Sequence, residues 1–213
     1  MGVEKNILKN INFQFMEISG PLLSWFDTNK RLLPFRGNKD PYNIWVSEVM
    51  LQQTKVETVI PYFNKWIKKF PNINAVANAS EERILKSWEG LGYYSRCRNF
   101  HKAAKIVVEK YNSRIPDTWN KFRALPGVGD YTAGAVLSIA FNKDYIAIDG
   151  NVKRVMARVT GRKKLSKYNQ NYIKSRLNKH MNKNRPGDFN QALMELGACL
   201  CLPKVPKCVD CPI

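Results

Sequence analysis

The sequence predicts an all-α protein of two helical lobes with a cleft between them. Three observations carry that expectation. Apolar residues recur at helical spacing almost throughout the chain. Alternation of Val, Ile and Thr never persists for the length of a strand. The connections between periodic segments are short and rich in Gly and Pro. Taken in order, Asp40-Pro41 offers a cap followed by proline at the first helical position, opening a helix that carries Glu48. Thr54-Lys55-Val56-Glu57 fits a capping box, so that helix should end near Gln53 and another begin at once. Gln52 and Gln53 then fall at a helix junction. Pro61 should kink the second helix or end it early. Further helices are expected near Glu81–Trp88, Arg96–Tyr111, Thr118–Ala124, Tyr131–Phe141, Asn151–Val159, Asn169–Met181 and Phe189–Leu200. No internal repeat or low-complexity linker interrupts them.

Composition narrows the function. The 213 residues are 44% hydrophobic and 11% aromatic, enough for a core in one or two domains. Lys and Arg number 35 against 17 acids, a formal net charge of +18. The excess is uneven: from Lys143 to Arg185 there are thirteen Lys/Arg and two acids, Asp144 and Asp149. A protein this basic meets a polyanion, nucleic acid or an anionic membrane; a solvated basic face is the plainer alternative. No apolar run approaches the roughly 18 residues of a spanning helix. The N-terminus MGVEKNILKN has no signal-peptide core, and Asn6 stands where a myristoylation site wants Ser or Thr. A cytoplasmic, nucleoid-associated protein is expected. Four of the five cysteines, Cys199, Cys201, Cys208 and Cys211, fall in the last fifteen residues, which in a reducing compartment favours a metal site over disulfides.

Two motifs suggest chemistry. In LPGVGDYTAGAV, Leu125 to Val136, one helix ends, Pro126-Gly127-Val128-Gly129 turns tightly, and another helix starts. Outward-facing amides at Gly127, Gly129 and the following helical turn suit a phosphate oxygen. The string resembles the helix–hairpin–helix of DNA repair proteins, which reads backbone and so implies DNA without sequence specificity. In AIDGNVKR, Asp149 stands at the start of a helix beginning near Asn151. A helix N-terminus favours the ionised carboxylate and should lower its pKa. A simple helix cap explains this aspartate on local sequence alone, but it follows the hairpin by about twenty residues, the spacing of the helix–hairpin–helix glycosylase superfamily.

A third stretch, Glu48-Val49-Met50-Leu51-Gln52-Gln53-Thr54, places one acid and two adjacent amides on an otherwise apolar helix. Together, WVSEVMLQQT, WEGLGYYSRCRN, LPGVGDYTAGAV, IDGNVKRV and FNQALMELGA resemble the MutY family of adenine DNA glycosylases, from about Trp25 to the last residue. The resemblance implies a DNA-binding cleft, with Glu48 as general acid in the base pocket, Gln53 as a wedge in the DNA stack, and Gln52 beside it. A carboxyl group among Trp45, Val49 and Leu51 should have a pKa raised by desolvation. An adenine must be flipped out of the duplex to be reached. Its glycosidic bond breaks through an oxocarbenium-like state, so one acid protonates the leaving base and another stays anionic beside the sugar. The resemblance gives the second role to Asp149, as electrostatic stabiliser or transient nucleophile.

Tyr131 stands where the bifunctional endonuclease III relatives have a Schiff-base lysine, which implies a monofunctional enzyme. Its hydroxyl is expected to orient Asp149 or the flipped nucleotide. Tyr93 resembles the aromatic that stacks beside the opposing oxidised guanine, with a wedge near Leu91, while Tyr94 is expected in the core. Arg36 and Asn151 match positions lining the adenine pocket, and Phe35 stands where a Trp is usual. The implied partner is double-stranded DNA holding adenine opposite 8-oxoguanine or guanine, bound by a monomer.

Cys201, Cys208 and Cys211 have the spacing C-x6-C-x2-C, which the family continues with x5-C around a [4Fe–4S] cluster. The fourth cysteine would fall at position 217, so either the polypeptide is truncated or a substitute ligand is used, for which Cys199 is the available candidate. Zinc on the same cysteines is the alternative cofactor. The expected organisation is one lobe over about 30–142, a second over about 1–29 plus 143–200, and a Cys-rich loop over 199–213, with the family's C-terminal Nudix-like domain absent. Two other functions are weighed: a thymine-mismatch or endonuclease III-type glycosylase, against which Gln52, Gln53 and Tyr131 argue, and a catalytically idle DNA-binding module, against which Glu48, Asp149 and Tyr131 argue together.

Overall fold

A computed structural model of the chain describes residues 17–161 and 167–213. The N-terminal stretch read for targeting signals and the basic residues Arg162, Lys163 and Lys164 lie outside them. Every regular element among the described residues is a helix. None of these helices is long and apolar enough to cross a membrane. The helices are α1 (Ser19–Asn29), α2 (Pro41–Leu51), α3 (Val56–Lys69), α4 (Ile73–Ala77), α5 (Glu81–Trp88), α6 (Tyr94–Tyr111), α7 (Trp119–Arg123), α8 (Asp130–Phe141), α9 (Gly150–Val159), α10 (Lys167–His180) and α11 (Pro186–Cys199), followed by a 3₁₀ turn at Cys208–Asp210. They form two compact units: a central one, Leu32–Phe141, and a terminal one made of the residues up to Arg31 with Asn142–Ile213.

In the central unit, α2 starts as its sequence dictates. Pro41 needs no amide partner at the first helical position, and the Asp40 carboxylate accepts from the Tyr42 amide at 2.8 Å. From Tyr42 to Met50 only Asn43 escapes full burial, so α2 is apolar on nearly every side and runs through the core. Helix α8 matches it, with Thr132 to Ser138 buried without a break, and the two pack together. Around them Trp45 meets Phe100 and Phe122 edge-on at 4.9 and 5.0 Å, and Trp66 meets Trp88 at 5.5 Å.

Two local expectations are corrected here. The capping box does not form: the N-cap of α3 is Lys55, which makes no side-chain cap. The Thr54 hydroxyl is taken up elsewhere, accepting from Arg96 Nη2 at 3.2 Å. Nor does Pro61 end α3, which continues to Lys69. Burial of Val59, Phe63 and Trp66 on one face holds the helix together past the missing amide.

The terminal unit packs α1, α9, α10 and α11 around Leu22, Phe26, Val152, Met156, Ile173, Leu177, Phe189 and Leu193. Glu195 on α11 is 1% exposed, yet paired twice: Arg31 donates through Nε at 2.8 Å and through Nη2 at 3.0 Å. A charge so buried is tolerable only with such partners. Helix α11 begins three residues before the expected Phe189, because Pro186 opens it.

Candidate active site

The central unit carries the first group of site residues. Glu48, 8% exposed in the last turns of α2, faces the seam with α8. There the Tyr131 hydroxyl, on the first turn of α8, donates to Glu48 Oε2 at 2.6 Å. One residue further on, the Thr132 hydroxyl accepts from Gln52 Nε2 at 3.3 Å. The structure thus gives the Tyr131 hydroxyl a partner, Glu48, that the sequence reading did not name. Sequence separation of 83 residues hid the pair.

Gln52 caps α2 and is half-buried, whereas Gln53 is exposed in the left-handed conformation, φ 57°. Tyr93 is left-handed too, φ 47°, and 59% exposed at the N-terminus of α6. Tyr94, expected in the core, is instead 38% exposed, because the helix starting at that residue turns it outward. Leu91 is buried, its side chain part of the core. Arg36 is half-buried in the turn after Leu33, whose carbonyl accepts from its amide, and beside it Phe35 packs edge-on against Phe63 at 5.4 Å.

The hairpin is as tight as its glycines suggest. Gly127 has φ 77°, and a Cβ there would fall 2.8 Å from Asn99 Cβ. The Val128 amide turns inward to the Leu125 carbonyl, while Gly127 is exposed and Gly129 half-buried. Arg123 braces the turn, donating to the Val128 carbonyl at 2.8 Å and to Asp130 at 2.7 Å.

The terminal unit carries the second group. Asp149 caps α9: Oδ1 accepts from the Val152 amide at 2.7 Å and Oδ2 from Asn151 Nδ2 at 2.9 Å. The sequence reading expected the helix terminus to lower its pKa. Burial instead raises it above the ordinary aspartate value, outweighing the hydrogen bonds from Val152 and Asn151 and the charge of Arg154. Asn151 is itself held, its Oδ1 accepting from Arg154 Nη2 at 2.8 Å.

Two supports were not foreseen from sequence. Arg154 also donates to the carbonyls of Gly197 at 2.7 Å and Cys201 at 2.8 Å. Asn190, fully buried on α11, accepts from the Ala147 amide at 3.0 Å and donates to the Tyr145 carbonyl at 2.7 Å, fixing the extended segment that delivers Asp149. The adjacent amides Asn190 and Gln191 in the otherwise mostly apolar FNQALMELGA were the available signal.

Cys199 ends α11, Cys208 is exposed, and Cys201 and Cys211 are half-buried. Arg158 Nη1 lies 3.4 Å from Cys201 Sγ, and the Cys211 thiol donates to the Ile213 carbonyl at 3.1 Å. Among the described residues no three His, Cys, Asp or Glu side chains gather as a metal-ligand set.

Comparison with known proteins places this geometry. Residues 46–181 match the HhH-GPD superfamily of base excision DNA repair proteins. An adenine DNA glycosylase of Buchnera aphidicola subsp. Baizongia pistaciae is 43% identical over 197 residues, covering 90% of this chain and 55% of that protein. The adenine DNA glycosylase of Homo sapiens is 45% identical over 205 residues, covering 91% of this chain and 38% of that protein. The chain therefore spans about half, or less, of these relatives' length. Among solved structures, a thermostable thymine-DNA glycosylase superposes with a TM-score of 0.81 at 25% identity, covering 99% of this chain and 94% of that one.

Proposed function

The chain belongs to the HhH-GPD superfamily of base excision DNA repair proteins, and from that premise we propose that it removes adenine mispaired with 8-oxoguanine or guanine from duplex DNA, as a monofunctional glycosylase. The observation that carries the proposal is the buried Glu48 held by the phenol of Tyr131, at the position where a lyase needs an amine. The adenine-glycosylase relatives, at 43–45% identity, support the choice of base.

In this proposal the adenine is flipped out of the stack and Glu48 protonates a ring nitrogen as the base leaves. The carboxylate left behind keeps the Tyr131 hydroxyl as its partner. Asp149, anionic, stabilises the positive charge growing on the sugar. Its two hydrogen bonds, from Val152 and Asn151, support the ionised form that burial disfavours. Water completes hydrolysis and the strand stays intact. Gln53 and Tyr93, both exposed, fill the stack; the amides of Gly127 and Gly129 take a phosphate; Arg36 lines the base pocket. Support for an iron–sulfur cluster is confined to the spacing of Cys201, Cys208 and Cys211, and no step of the reaction passes through it.

Thymine-mismatch excision is the second reading, favoured by the fold likeness to a thymine-DNA glycosylase. Single-turnover assays on duplexes holding A opposite 8-oxoguanine, A opposite G, and T opposite G separate the two, with borohydride present in a parallel set. Adenine release without covalent trapping is expected. Thymine release alone, or strong trapping of the unmodified protein, would overturn the proposal.

A further inference from the structure

The strongest unexplained feature of the central unit is a buried arginine. Arg96, in the first turn of α6, is 9% exposed. Its Nη1 donates to the carbonyls of Val49 at 3.1 Å, Met50 at 2.9 Å, and Gln52. Its Nη2 donates to Thr54 Oγ1 and to the carbonyls of Leu91 and Gly92, each at 3.2 Å. The guanidinium carbon also lies 5.4 Å from the centre of the Tyr93 ring and 5.5 Å from that of Trp88. One side chain thus closes the C-terminus of α2, whose last carbonyls have no helical partner, and the turn that enters α6.

Each of those two turns holds a residue in a costly conformation. Gln53 and Tyr93 are both non-glycine residues in the left-handed region. Such conformations cost on the order of 1–3 kcal/mol each and persist only where the surroundings over-determine them. Arg96 touches both turns at once. Stability alone does not call for an arginine here, since an apolar side chain of similar volume often serves a core as well as a buried charge. What an apolar side chain could not do is tie two loops by their carbonyls.

We propose that Arg96 is a positioning residue that joins the Gln52–Gln53 turn to the Leu91–Tyr93 turn, so that Gln53 and Tyr93 enter a DNA duplex as one rigid wedge. The inference rests on the proposed DNA-glycosylase reading and deepens it. Lysine cannot substitute, because an ammonium is a compact charge with three donors, not a planar fork that reaches both turns.

The test uses mismatch duplexes with 2-aminopurine beside the base opposite the adenine, whose fluorescence reports unstacking without any bond being broken. Arg96→Lys, checked for folding by its circular dichroism and melting, should lose the fluorescence gain, and single-turnover excision should fall about 10²-fold, the scale of a displacement of about 1 Å. Low-salt affinity for an undamaged duplex should stay at the parent value. In a Gln53→Ala/Tyr93→Ala background the same substitution should cost less than about threefold, because its targets are gone. A folded Arg96→Lys with parent unstacking, or a full additional loss in that background, would overturn the proposal. If the lysine variant does not fold, the single and double alanine variants decide with Arg96 in place. Joined turns make the double loss smaller than the product of the single losses, and independent turns make it equal. A parent that unstacks mismatches but releases no adenine sinks the adenine reading and leaves the wedge standing; a parent that unstacks nothing overturns both.

Discussion

Two carboxylates, each with its own kind of partner, divide the proposed chemistry at the residue scale. Glu48 has a phenol 2.6 Å away, and Asp149 has a backbone amide and a side-chain amide. Glu48→Gln fills the same volume but cannot give up a proton, so adenine release should fall by about 10²–10⁴-fold while mismatch binding persists. Release at the parent rate in a single-turnover assay would remove Glu48 from the mechanism. Asp149 makes a prediction of the opposite sign for stability. Its pKa is raised on folding, so its favourable contribution is complete below the ordinary aspartate value and is lost as pH rises through the folded value. At neutral pH the ionised form is therefore a burden on the fold. Asn keeps the cap and drops the charge, so Asp149→Asn should melt higher than the parent near pH 7, with the difference closing as pH falls below the ordinary carboxylate range, and should lose excision. A Tm equal to the parent's at neutral pH would mean that burial does not penalise this carboxylate.

Elements show what local sequence can and cannot announce. Asp40-Pro41 and Pro186 mark helix starts because capping and proline act within a turn, and α2 and α11 begin where those residues stand. Thr54 misled because its hydroxyl had a competitor, Arg96, 42 residues away in sequence. Tyr94 misled for a similar reason: the direction of a side chain at a helix start depends on the left-handed Tyr93 before it. Glu48, Tyr131 and Asp149 stood out as residue types in motifs, but the Glu48–Tyr131 bond, the Asn190 brace and the Arg154 carbonyl contacts are tertiary and left no periodic trace. The close approach of α11 to α9 belongs to the same class. A Cβ on Gly197 would fall 2.5 Å from Asn151 Cβ and 3.2 Å from its Cα. Gly197→Ala should therefore destabilise the protein by about 1–3 kcal/mol, the usual cost of overpacking, and should weaken excision by shifting the Asn151 amide that holds Asp149. Denaturant titration beside an excision assay checks it, and an alanine variant with parent stability and rate would show that α9 and α11 separate freely.

At the scale of the whole molecule, the surplus of eighteen positive charges predicts how DNA is held. Lys and Arg on phosphates release counterions, so the logarithm of affinity should fall linearly with the logarithm of salt, by about 0.9 per phosphate neutralised. On the proposed function, the hairpin amides and the basic residues would treat every duplex alike, whereas Gln53, Tyr93 and the base pocket would act only where a base can leave the stack. The two contributions should separate cleanly in a titration. Duplexes with and without an adenine mispair should show parallel salt dependences, displaced by a gap that salt leaves unchanged. Substituting exposed Lys153 on α9 should lower both lines if that face meets phosphate, without altering the gap. A gap that closes as salt rises would mean that mismatch recognition is itself carried by phosphate contacts, and the division of labour drawn between the wedge residues and the basic surface would be wrong.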